Sequence, residues 1–289
     1  MDTVLTGYQL LEGPVWDAKR GLVFADAEQG GVYALDPTSG AVSTLVEHRR
    51  GIGGLALHAQ GGLVVSGRNI AYKEAGRETQ VLLPNDPAGG TVGFNDITTD
   101  AVGRVYAGSL GFYPTVPGDE PRPGALYVIE LDGSVRELAK GVKLTNGLGF
   151  SPDGSLLYHC DSGDHTVYVY DVSETTGVGP RRPFAAVPNG LPDGMAISVD
   201  GSVWVAVAHG GEVLRFRPDG SLRERLEFPV PMVTSLCFGG DDMRDLYVVT
   251  GSDGVEGNAG TVYRLRSEVP GVPIPAARVA VGVPQSTPG

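Results

Sequence analysis

The chain has 289 residues, 34 of them acidic and 22 basic, for a formal charge of −12. Apolar residues at 41% can bury a real core, and 44 Gly with 21 Pro stay below the share that marks low-complexity disorder. The charge argues against nucleic acid and against an anionic membrane surface as partners, because no basic stripe is present to neutralise phosphates. The N-terminal MDTVLTGYQLLEGP has no basic region before Lys19, so no signal peptide is expected. No apolar run approaches the ~20 residues of a spanning helix. Cys160 and Cys237 lie in no CxxC motif and read as two reduced thiols in core strands of a cytoplasmic protein.

In chain order, the recurring element is a run of four to six apolar residues closed by Gly, Asp-Gly or Pro. Examples begin at Gly21, Gly31, Leu63, Arg104, Ala125 and Val203. These are short strands, and the Asp-Gly pairs at 132–133, 153–154, 200–201 and 219–220 are hairpin turns that need positive φ. Six strand openings align, at Gly13, Gly54, Asp96, Gly147, Gly194 and Ser235, and second strands follow at Leu22, Leu63, Val105, Leu156, Val203 and Leu246. The openings are 41, 42, 51, 47 and 41 residues apart. A multi-strand repeat of this length is the signature of a β-propeller. The expected fold is all-β: one domain over 1–289, a six-bladed propeller with four-stranded antiparallel blades around a central channel. The segment before residue 12 should add a strand to the last blade and so close the ring. The Pro-rich stretch 110–123 reads as a rim loop, and the C-terminal stretch as a strand near 278–283 followed by a loose tail at 284–289.

The repeat also points to a site. The residues just before the six openings are Glu12, Gly53, Asn95, Asn146, Asp193 and Thr234. If the first strand of each blade lines the channel, these six form a ring around its axis. Asn146-Gly147 and Asp193-Gly194 are each ordinary turn dipeptides. Four carboxylate or carboxamide side chains at one register of four repeats are not. Such groups resist being crowded and desolvated together. A hard divalent cation would relieve that: Ca²⁺ first, with Mg²⁺, Mn²⁺ or Zn²⁺ as alternatives.

Several segments occur in a telling order: Leu11-Glu12-Gly13-Pro14-Val15-Trp16, Gly93-Phe94-Asn95-Asp96, Leu144-Thr145-Asn146-Gly147-Leu148, Leu191-Pro192-Asp193-Gly194-Met195, Val203-Trp204-Val205-Ala206, and the run from Pro229 to Gly240. Together they resemble the SMP-30/gluconolactonase (regucalcin-like) family over about Leu10 to Arg266. The resemblance implies a six-bladed propeller with one catalytic divalent metal. It implies Glu12, Asn146 and Asp193 as its ligands, and Asn95 beside it on the substrate. Asp193 doubles as general base or, in phosphotriesterase-like relatives, as nucleophile. The implied activity is a metal-dependent lactonase or esterase: the cation polarises the ester carbonyl while Asp193 deprotonates the attacking water. Sugar-lactone hydrolases of this family often carry an Arg where this chain has Gly93. Phe112 and Tyr113 stand in the loop expected to touch substrate, so the expected small-molecule substrate is a lactone or ester less polar than a sugar lactone.

GxSxG, HExxH, Walker A, GxGxxG and EF-hand patterns are absent from the sequence. Two other readings use the same ring: a phosphotriesterase-like hydrolase and a non-catalytic metal-binding propeller. Oligomeric state is left open.

Overall fold

Asp-Gly turns and apolar runs fold as the repeat requires. A computed structural model describes residues 1–114, 116–173, 177–252 and 257–282. In chain order, β1 (Asp2–Tyr8) precedes blade 1, which is β2 (Leu11–Asp17), β3 (Gly21–Asp26), β4 (Val32–Leu35) and β5 (Val42–Val46). Blade 2 is β6 (Leu55–Leu57), β7 (Leu63–Val65), β8 (Ile70–Lys73) and β9 (Gln80–Leu83). Blade 3 is β10 (Gly93–Thr99), β11 (Val105–Leu110), β12 (Gly124–Ile129) and β13 (Val135–Val142). Blade 4 is β14 (Thr145–Phe150), β15 (Leu156–Asp161), β16 (Thr166–Ser173), β17 (Gly177–Val178) and β18 (Arg182–Ala186). Blade 5 is β19 (Leu191–Ile197), β20 (Val203–Ala208), β21 (Glu212–Phe216) and β22 (Leu222–Glu227). Blade 6 is β23 (Val233–Gly239), β24 (Asp245–Thr250) and β25 (Gly260–Arg266), completed by β1.

This is a six-bladed β-propeller, each blade an antiparallel meander. The N-terminal strand closes the ring as expected, β1 pairing with β25. The predicted turn glycines Gly133, Gly154, Gly201 and Gly220 all adopt positive φ. Blade 4 departs from four strands: β17 and β18 share its outer edge, both pairing with β16. Pro180 lies between the two and Pro183 within β18, and a proline's missing N–H interrupts a continuous ladder.

The core is six cores. Each apolar cluster lies between two neighbouring blades: Val15 and Val23 against Ile52 and Leu55, for example, or Tyr158 and Val169 against Met195 and Val205. Burial on both faces is why the inner strands read as near-continuous apolar runs. Trp16 stacks on Tyr247 between blades 1 and 6, with centroids 5.6 Å apart, and Trp204 meets Phe238 edge-on between blades 5 and 6. Cys160 and Cys237 are buried and free, as read from the sequence. Among the described residues no helix is long and apolar enough to cross a membrane.

The C-terminal segment corrects one expectation. Among its described residues there is no strand near 278–282, and the proposed tail at 284–289 lies outside the described residues. Residues 270–280 instead run as an extended strap across the propeller end where the inner strands finish. Its backbone is tied to blades 6 and 5 by Gly271 N to Met243 O (2.7 Å) and Val272 N to Ile197 O (2.8 Å). It is tied to blades 2 and 3 by Ala277 N to Leu57 O (2.7 Å) and Arg278 N to Gly103 O (2.8 Å). Prolines at 270, 273 and 275 favour this extended, unpaired path over a ladder strand.

Candidate functional site

The ring read from the sequence exists, and contacts between inner strands trace it. A Cβ on Gly13 would come within 3.0 Å of Gly54 Cα, and one on Gly53 would run into Asn95 Oδ1. Asn95 reaches Asn146, Gly147 packs against Asp193 and Gly194, and Gly194 packs against Ser235. Thr234 Oγ1 then donates to Leu11 O at 2.5 Å, which closes the circuit.

The register of this ring is where the ladder breaks. Pairing of the first two strands shifts between Glu12 and Val15, Phe94 and Ile97, Thr145 and Leu148, Pro192 and Met195, and Val233 and Ser235. Five blades therefore carry an irregularity at one height. A bulge re-aims side chains and leaves N–H groups without ladder partners. Carboxylates take up those donors locally: Glu12 accepts from the Gly13 N–H, Asp193 from the Gly194 N–H, and Asp96 Oδ1 from Ile97 N at 2.9 Å. In blade 2, Ser66 Oγ does the same for Gly53 N (3.1 Å) and Gly54 N (2.8 Å).

Asp96 is the residue that reading one position per blade missed. It follows Asn95 at the bulge and joins Glu12 and Asp193 in the same electrostatic neighbourhood. Burial pushes the Asp96 carboxyl up to about 7. Burial, then the charges of Asp193 and Asp96, push Glu12 well above the usual carboxylate range, and burial with Asp96 does the same to Asp193. Glu12 and Asp96 keep some surface open to the channel while lying deep in the molecule. Among the described residues no ion pair neutralises any of the three. A signal was available: the other five blades carry Gly or Ser at this register, and Asp96 is its one charged occupant.

The two carboxamides are oriented by a relay. Ser162 is fully buried, and its Oγ donates to Pro192 O at 2.6 Å. With its proton spent there, Ser162 Oγ accepts from Asn146 Nδ2 at 2.8 Å. Asn146 Oδ1 is thereby turned the other way, where it accepts from Asn95 Nδ2, which also donates to Thr145 O at 3.0 Å. Asn95 Oδ1 is left facing the space that Gly53 vacates. The carbonyl of Pro192 thus fixes the polarity of the side chains that follow it from blade 5 to blade 3. Behind them, His159 is held at Thr145 Oγ1 (2.7 Å), and burial with Arg181 pushes its pKa down to about 3. It is a neutral hydrogen-bonding group. Burial, with Asp193, Asp96 and Asp161 adding to it, raises the nearby Cys160 thiol and makes it a poor nucleophile.

Phe112 and Tyr113 lie in the loop after β11, at the same end as the ring. Phe112 is buried, whereas Tyr113 is exposed with its hydroxyl donating to Val92 O at 3.1 Å. A Cβ on Gly93 would make a tight contact, 3.1 Å from Gly67 O.

As a cation site the ring has a definite character. Among the described residues no group of three or more His, Cys, Asp and Glu side chains is arranged to hold a metal. A cation here would draw on the carboxylates of Glu12 and Asp193 together with the oxygen-forward amide of Asn146. That all-oxygen set suits a hard ion, and the unneutralised crowding of three acids is the feature of this chain that such an ion fits.

Comparison with known proteins agrees with the fold and with the family resemblance. A family model described as "SMP-30/Gluconolactonase/LRE-like region" matches residues 10–252. The chain is 33% identical over 276 residues to 6-deoxy-6-sulfogluconolactonase of Pseudomonas putida, covering 90% of this chain and 92% of the relative. It is 35% identical over 263 residues to pentonolactonase XacC of Haloferax volcanii, covering 88% and 86%. Among solved structures, a luciferin-regenerating enzyme superposes with a TM-score of 0.83 at 26% identity, covering 94% of this chain and 97% of that one.

Proposed function

The chain belongs to the SMP-30/gluconolactonase/LRE-like family, and from that premise we propose that it hydrolyses lactones with one divalent cation held by Glu12, Asn146 and Asp193. Ca²⁺ is the first candidate for the ion. The observation that carries the reading is the convergence of Glu12, Asp96 and Asp193 with the carboxamides of Asn95 and Asn146 at one end of the channel. The two lactonase relatives supply the reaction class.

When bound, the cation supplies Lewis-acid polarisation of an ester carbonyl. The remaining work falls to the chain. Asn95, pinned through Nδ2 to Thr145 O and Asn146 Oδ1, orients the substrate. Asp193 takes the proton from the attacking water. Burial and Asp96 raise its pKa, and a bound cation would offset that and keep Asp193 in the charged form, the only form that can accept a proton. Removing the carboxylate in Asp193→Ala is expected to lower kcat by about 10²–10⁴-fold.

Two features bear on the substrate in opposite directions. Gly93 and the Phe112–Tyr113 segment favour a lactone less polar than a sugar lactone, whereas both relatives are named for sugar-derived lactones. The less polar class is our proposal. The test is a panel of gluconolactone against aliphatic and aryl lactones, run after chelation and again with Ca²⁺, Zn²⁺, Mn²⁺ or Mg²⁺ restored. Loss on chelation with recovery by one ion supports the metal reading. Full activity in chelator sinks it, and a strong preference for gluconolactone overturns the substrate class alone.

A further inference from the structure

The end of the channel farthest from the ring holds a cavity of about 590 Å³. The ring sits where the inner strands begin, whereas the cavity sits where they end, under the strap. Every blade contributes to its wall: Val15, Leu57, Thr98, Leu148, Met195 and Phe238. The strap crosses its mouth with Val272, Pro273, Ile274, Pro275 and Ala276. Charged residues on the wall are few. Asp17 is occupied by Arg20, and Lys19 and Asp241 are exposed at its edge.

Protein interiors are close-packed, and side chains normally fill a space of this size. Here the strap is docked too firmly to collapse into it. A Cβ on Gly271 would collide with the Phe238 ring, and one on Gly103 would sit 2.7 Å from Arg278 Cγ. The two ends are hydrogen-bonded to opposite sides of the propeller, and the segment between them, Pro273-Ile274-Pro275, spans the opening with two prolines that have no N–H to pair. One polar side chain lines it on blade 3: Thr98 is 3% exposed and stands in the cavity wall. Its neighbour Thr99 is engaged with Pro275 O.

An apolar space of a few hundred Å³ with one or two placed polar groups is the form of a small-molecule site. We propose that this cavity is a second ligand site, separate from the ring, for a neutral, largely apolar small molecule carrying one hydrogen-bonding group for Thr98. The shortage of charge disfavours ions, and the shortage of hydrogen-bonding side chains disfavours sugars. The strap's anchored ends and unpaired middle give a ligand a rigid lid to pack against rather than a flexible one to order. This site stands apart from the lactonase reading and is tested without it.

The probe is N-phenyl-1-naphthylamine, a neutral apolar fluorophore with a single N–H, titrated into the full chain and read by its emission. Saturable binding of one molecule per chain is expected. Ala276→Trp, which places an indole in the cavity from the strap, should weaken that binding by about tenfold or more, as overfilling a packed space does. Thr98→Val keeps the shape and removes the hydroxyl; it should weaken binding by a few-fold, the loss of one hydrogen bond. Thermal melts show which variants are folded, and either folded variant is sufficient for the test without the other. Absence of saturable binding to the unmodified chain overturns the site. So does binding that folded variants leave unchanged, since the probe would then sit elsewhere.

Discussion

Glu12 and Trp16 lie four residues apart on β2, one in the polar ring and the other beside the apolar cavity at the far end of the same channel. At the ring, the ladder is bulged in five blades and three carboxylates crowd without a cation partner. At the far end, pairing is regular through Val15↔Val23 and Met195↔Val205, and the walls are aliphatic and aromatic. A regular ladder sends alternate side chains to opposite faces, so one face can be kept apolar. A bulge cancels that alternation for one step and lets neighbours such as Asn95 and Asp96 serve the same space. The bulge, more than the residue type, therefore divides the channel into a polar end and an apolar end. The strap reinforces the division by crossing the far mouth, which leaves the loop side as the approach to the ring.

The sharpest way to break the polar end is to fill the space opposite Asn95. Gly53 has an ordinary φ, so backbone freedom is not why it is glycine; a Cβ would occupy the position of Asn95 Oδ1. With Nδ2 held by Thr145 O and Asn146 Oδ1, the carboxamide cannot swing away without giving up those bonds. Gly53→Ala should lower kcat/KM by about ten- to a hundredfold through lost substrate orientation, and should also cost roughly 1–3 kcal/mol of stability where the Cβ displaces Asn95. Steady-state kinetics with a parallel melt checks this, and unchanged kinetics would show that Asn95 does not serve the substrate.

A second variant acts one step further back. Ser162→Ala removes the hydroxyl that holds Asn146 Nδ2 and links it to Pro192 O. Without it, either end of the amide can face the channel. Loss of such an outer support typically costs about 10–100-fold in metal affinity. Isothermal titration with Ca²⁺ should show a weakening in that range. Equal affinity would mean that Asn146 is oriented by Asn95 alone.

These two positions also mark how far the sequence could be read. Glu12, Asn95, Asn146 and Asp193 were legible because the repeat gives a register, and a register on inner strands implies a ring. Gly53 was visible in that ring only as a gap, since nothing in a sequence says whose side chain needs the space. Asp96 was hidden by the rule of alternation, which places it opposite Asn95 unless a bulge intervenes. Ser162 was out of reach, because it acts from a 3-10 turn (Ser162–Asp164) after β15 and touches blade 5 across 30 residues. The strap resembles a strand in its apolar residues, while its pairing is with strand ends and turns scattered over the whole repeat.

The smallest expected effect tests the electrostatic difference between the two ends directly. Asp96 is pushed up to about 7 by burial, against an ordinary value of 3.8. Between those two pH values the folded chain holds a proton that the unfolded chain has released, so stability falls as pH rises across the window and levels off above it. Glu12 and Asp193 shift in the same direction and add to that slope. Asp96→Asn removes one of the three titrations and relieves the other two. In chelator, its Tm should match the parent near pH 4 and exceed it by a few degrees at pH 8, measured by melts across pH. Adding Ca²⁺ to the parent should flatten its slope, because a bound cation favours the charged carboxylates. The cavity end has no such crowded acids, so Thr98→Val should leave the slope as it is. A parent Tm indifferent to pH between 4 and 8 would mean the three acids are not crowded, and the physical case for a cation at the ring would go with it.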